Sequence, residues 1–301
     1  MKLAQLLMIF LFITVGASAA TVKTTNKLKL GESEIIVNVY ENAGTNITFF
    51  APHYNEQIGI ILAKEYINKN GGRLIEIESL DEKGYSTRNV KFSYGGKTYS
   101  IDPNRIYTDN GRSCNIVGEI RETVKNFADN LLKIILVPDG KALREGERFL
   151  VAVHNNANVS AKAENVQTSD LSVLGFIKGQ STKILVGGVF EAQADGVFIS
   201  NTETDEDNFI FLSGLTYLGY FAEKGFNIVV QKSAARLQSK QCTADDGSLS
   251  VYAAQTSVPY ICLEADGVSG YMRQRQMFDA IYALFQLEQK QVKPAIIADQ
   301  K

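Results

Sequence analysis

The sequence contains no tryptophan and only two histidines, three cysteines and five prolines in 301 residues. A zinc site built from three or four histidines is therefore excluded, and imidazole chemistry must run through His53 or His154. An excess of one charge is missing too: 31 Lys and Arg stand against 33 Asp and Glu. That balance argues against nucleic acid as a partner, because phosphate binding requires a basic surface. After the N-terminal segment, no run is apolar and long enough to span a bilayer. Hydrophobic residues make up 45% and charged residues 21%, which excludes disorder and allows a sizeable core.

The chain opens with Met1-Lys2, an apolar stretch from Leu3 to Val15, and then Gly16-Ala17-Ser18-Ala19-Ala20. A basic start, a short apolar region and a small-residue cleavage site describe a secretory signal peptide over residues 1–20, cut after Ala19 or Ala20. The apolar stretch is too short for a comfortable membrane span. The expectation is an exported protein, periplasmic or secreted, with no membrane attachment after cleavage. Export permits disulfides, and an odd cysteine count leaves one thiol unpaired. Cys114 and Cys242 lie in polar segments and are the better pair. Cys262, within Val258–Leu263, reads as a small residue of a buried strand.

No repeat or Pro/Ser-rich linker divides residues 21–301, which read as one domain. Strand-like runs are Glu34–Tyr40, Ile47–Ala51, Leu74–Ser79, Phe149–His154, Ile184–Val189, Asn227–Gln231 and Pro259–Glu264, with a hairpin over Val90–Ile101 around Gly95-Gly96. Helix-like stretches are Glu56–Asn68, Ile116–Leu132, Asn208–Glu223 and Tyr271–Leu287. In the first, Ile58, Ile61, Leu62 and Ile67 fall near one face. This alternation predicts an α/β sheet with helices on both faces, and ligands on such sheets sit at the carboxyl ends of strands. The acidic run Thr202–Asp207 reads as a solvated helix start, since it lacks the spacing of a calcium loop.

Four short segments carry the chemistry. The apolar run Phe49-Phe50-Ala51 is followed by Pro52-His53-Tyr54-Asn55-Glu56, which can place an imidazole and a carboxylate on one metal; the alternative is a loop histidine with an acidic neighbour. A second apolar run, Phe149–Val153, ends in His154. Two histidines and one carboxylate from strand ends make a three-ligand set that leaves a position open, as a catalytic metal requires. A third run, Tyr260–Leu263, ends in Glu264, a costly residue on a core strand unless used or paired. Finally, Asp102-Pro103-Asn104-Arg105 offers an Arg and an Asn amide for a carboxylate, or simply a turn with an exposed Arg.

This ordered set resembles the zinc carboxypeptidase family, the carboxypeptidase A-like metallopeptidases, over roughly residues 45–270. The resemblance implies a mixed central β-sheet flanked by helices on both faces. It implies Zn2+ held by His53, Glu56 and His154, and Glu264 as general base. Asn104 and Arg105 would grip the substrate's free carboxylate, and Arg88 would stabilise the oxyanion. The expected substrate is a peptide or small acyl-amino acid with a free carboxylate, and a peptidoglycan stem peptide would suit an exported enzyme. The distal histidine is followed by Asn155-Asn156 and the motifs are compactly spaced, which would suit a divergent bacterial branch. Two other readings stay open: a deacylase similar to aspartoacylase or succinylglutamate desuccinylase, and a catalytically silent binding module on the same fold. Oligomeric state has no signature in the sequence.

Intact mass measurement of the protein secreted from a host with a signal peptidase should give a chain starting at Ala20 or Thr21. A chain still starting at Met1 would remove the export reading.

Overall fold

The computed structural model describes residues 20–136, 149–156, 194–201, 208–231 and 245–298, together with Thr204, Ser233 and Cys242. Most of the expected signal segment, the expected strand Ile184–Val189, and most of the acidic run Thr202–Asp207 lie outside the described residues.

Eleven strands are described: β1 (Val22–Leu30), β2 (Ser33–Asn42), β3 (Ile47–Ala51), β4 (Gly72–Ile77), β5 (Val90–Tyr94), β6 (Lys97–Ile101), β7 (Phe149–Asn156), β8 (Ala194–Phe198), β9 (Phe209–Leu212), β10 (Asn227–Gln231) and β11 (Tyr260–Asp266). Nine form one sheet in the order β1-β2-β4-β3-β7-β11-β9-β10-β8, while β5 and β6 pair separately as the expected hairpin. The centre, β4-β3-β7-β11, is parallel; β11 runs antiparallel to β9, and both flanks carry antiparallel pairs. The sheet is therefore mixed. The helices are α1 (Gln57–Asn70), α2 (Asp109–Asn115), α3 (Arg121–Leu136), α4 (Leu218–Glu223), α5 (Leu249–Thr256) and α6 (Tyr271–Ala298).

Successive strand residues point to opposite faces, so the core divides into two layers. One holds Phe50, Leu150, Ala152, Tyr260 and Cys262 under α3 and α5. The other holds Phe49, Val151, Val153, Ile261 and Leu263 under α1, α4 and α6. Helix α3 buries Val124, Phe127, Ala128, Leu131, Leu132 and Ile135, the spacing of a single helical stripe. Helices thus cover both faces, as the sequence predicts.

Two expectations are corrected. The stretch Asn208–Glu223 is not one helix: Phe209–Leu212 is strand β9, and only Leu218–Glu223 is helical. All four residues of β9 are buried, and a short apolar run has no period to separate strand from helix. In α1, Ile61 is 48% exposed and Ile60 takes the buried position. Helix α5, which the sequence reading does not name, begins at Leu249 and is capped by Ser248, whose hydroxyl accepts from Val251 N. Strand β1 escapes sequence reading because it is an edge strand, largely exposed and rich in Lys and Thr.

The expected disulfide is present. Cys114 and Cys242 are bonded with a Cα–Cα distance of 5.6 Å, and Cys262 is a buried free thiol. Phe127→Ala should cost about 3–5 kcal/mol in a denaturant melt, because the side chain is wholly buried between α3 and the sheet. Ile61→Ala, on the exposed side of α1, should stay within about 0.5 kcal/mol.

Candidate metal centre

Strand β3 ends at Ala51, and a tight turn, in which Glu56 N donates to His53 O at 3.2 Å, leads into α1. Glu56 is the N-cap residue of α1, yet its carboxylate caps nothing. It faces the two histidines instead: Oε1 lies 2.7 Å from His53 Nδ1 and Oε2 lies 2.9 Å from His154 Nδ1. His154 projects from β7, with Glu264 directly opposite it on β11, and both emerge on the α3 side of the sheet with Cys262 and Tyr260. The parallel register of two strands thus sets a ligand beside a carboxylate. All four residues are buried.

His53 has a carboxylate on each ring nitrogen, for Nε2 lies 2.9 Å from Asp102 Oδ1. Burial lowers the His53 pKa, but Glu56 and Asp102 outweigh it and raise the value overall. A lone pair cannot face a carboxylate at this distance without a positive charge between them, either a proton or a metal ion. Glu56 is likewise held well below the carboxylate range against its burial, by His53 and His154. Burial pushes the Glu264 carboxyl up, only partly offset by His154.

One ligand atom from each of His53, Glu56 and His154 lies within 4.8 Å of the other two. Two imidazole nitrogens and a carboxylate oxygen, buried and converging, fit a divalent cation of the zinc type. Asp102 supplies what such a ligand needs: by accepting a hydrogen bond from Nε2–H, it holds the proton on that nitrogen and leaves the Nδ1 lone pair for the ion. Asp102, two residues before Asn104, was legible only as part of a turn. Asn155 is a second residue that motif reading passes over. It donates its backbone N to Glu56 Oε2 and its side-chain amide to Gln274, and accepts from Gly59 N, so it ties β7, α1 and α6 together behind the site. Gln274, wholly buried, donates to His154 O.

Arg88 reaches the same cluster, donating Nη1 to Glu56 Oε1 at 2.9 Å and pairing through Nε with Asp102 Oδ2 at 3.3 Å. Asn104 accepts from Leu249 N with Oδ1, which leaves its NH2 group as the free donor end. Arg105 pairs with Asp246 at 3.4 Å and donates to Asn104 O. Burial lowers the Arg105 pKa, but Asp246, Asp102 and Glu264 raise it overall, so the guanidinium lies in the field of the site's carboxylates. Asp245, by contrast, is a structural acid that accepts from Thr108, Gly247 N and Gln255. Tyr252 packs, partly buried, against the α3-side core.

No family model matches this chain, and no curated protein matches it. Among solved structures, it is similar to the crystal structure of an aspartoacylase family protein from Mesorhizobium loti, at 13% identity and a TM-score of 0.35, covering 87% of this chain and 68% of that one. At that identity and score the likeness says nothing about activity.

Asp102→Ala should weaken metal binding about 10–100-fold in a competition titration with a chelating dye, since it removes the acceptor that orients His53. For metal-free protein the raised His53 pKa fixes a sign. The charge stabilises the fold fully below the ordinary histidine value and ceases to do so as pH rises through the folded value. Thermal melts in chelator should show stability falling across neutral to alkaline pH, and His53→Gln should remove that fall.

Proposed function

We propose that this protein is a zinc-dependent hydrolase of amide bonds, and specifically a metallocarboxypeptidase that releases terminal residues from peptides with a free carboxylate. The observation that carries the reading is the convergence of His53, Glu56 and His154, with Glu264 paired in register beside His154. Bound zinc supplies Lewis acidity, polarising a carbonyl and acidifying water at neutral pH.

The chain's own residues supply the rest. Glu264 takes the proton of the attacking water and passes it to the leaving amine, and its burial suits a base whose pKa must approach the working pH. Arg88, about half exposed at the edge of the cluster, offsets charge on the carbonyl oxygen. Asn104 and Arg105 hold the free carboxylate and so restrict cleavage to chain ends. Both histidines are engaged by the ligand set, which leaves proton transfer to the carboxylate.

The Cys114–Cys242 bond supports an exported protein, because such bonds persist in oxidising compartments. Among the described residues no helix is long and apolar enough to cross a membrane. A stem peptide of the cell wall is the substrate that this location favours.

Glu264→Gln should keep its zinc by elemental analysis and lose about a hundredfold or more in turnover. Peptides with free carboxyl ends should release their terminal residue, and amidated copies should not. Hydrolysis of acyl-amino acids alone would make the protein a deacylase, and zinc without hydrolysis of either would make it a binding module.

A further inference from the structure

Cys262 and Glu264 lie two residues apart on one face of β11, and the Cys262 thiol donates to Glu264 Oε1 at 3.2 Å. His154 stands opposite Glu264 on β7. One ligand atom from each of His154, Cys262 and Glu264 lies within 4.8 Å of the other two, and all three residues are buried. This group needs neither His53 nor Glu56. Its donors are also different in kind: a sulfur joined to a nitrogen and a carboxylate selects borderline and soft cations over magnesium or calcium.

We propose that His154, Cys262 and Glu264 form an alternative ligand set, which competes with the His53–Glu56 set for His154 and captures a thiophilic divalent cation such as cadmium, with Cys262 bound as thiolate. As the sulfur–metal bond forms, the S–H proton leaves to solvent and no atom changes oxidation state. Glu264 becomes a ligand in the same event and can no longer accept a proton. The set therefore couples the concentration of a soft cation to the availability of the carboxylate that the hydrolase reading names as base. The metal-capture claim itself stands without that reading.

The chain has three cysteines and two of them are bonded to each other, so a metal–thiolate signal has one source. Cadmium titrated into chelator-stripped, oxidised protein should produce an ultraviolet sulfur-to-cadmium band that saturates at one thiolate per chain. Cys262→Ser keeps a hydroxyl for Glu264 and should melt near the parent, but should show no band. His53→Gln, outside the set, should keep the band. A parent protein without the band, or a Cys262→Ser variant with it, overturns the proposal. Loss of the band in His53→Gln also overturns it, because the thiolate would then belong to the His53 site. None of these outcomes depends on finding a hydrolysed substrate.

Discussion

A single buried carboxylate organises this molecule's candidate site. Glu56 sits at the start of α1, where a side chain ordinarily caps the helix, and instead spans the gap between two histidines from different strands. A buried anion of this kind is tolerable only with opposite charge and hydrogen bonds around it. The surroundings follow from that requirement: Arg88 on one oxygen, the Asn155 backbone on the other, and Asp102 behind His53 to keep that ring oriented. The chain–turn–helix geometry after β3 is thus fixed by electrostatics as much as by packing.

The segment that carries Asn104 and Arg105 has a different kind of rigidity. A Cβ on Gly111 would lie 2.0 Å from Gly247 Cα, and Gly247 itself adopts a φ of +83°, so both positions need glycine for the backbones to touch. Around that contact, Tyr107 N donates to Gly247 O, Asn115 donates to Asp246 O, and Leu249 N donates to Asn104. The Cys114–Cys242 bond closes the same seam covalently. Asn104, Arg105 and Asp246 therefore form one rigid unit rather than a pair of independent loops.

Much of this was legible in the sequence. Apolar runs leading to His154 and Glu264 declared the two strands that set those side chains side by side, and the polar setting of Cys114 and Cys242 against the apolar run around Cys262 picked out the bond and the buried thiol. What escaped did so for identifiable reasons. Strand β9 is a short run with both faces buried, so it has no alternation to read. Ile60 and Ile61 are adjacent and chemically identical, and only the packing of α1 against β7 decides which is inside. Asp102 and Asn155 act through partners far along the chain, which no local pattern encodes.

Strand β11 is among the last elements in the chain, yet it lies in the interior of the sheet between β7 and β9. A nascent or truncated chain can carry His53, Glu56 and His154 while lacking Glu264 altogether. Its pairing with β7 joins segments distant in the chain, a non-local contact of the kind that slows folding. Until β11 is paired, His154 has no carboxylate in register beside it, so the geometry around that histidine is completed only with the last strand of the sheet.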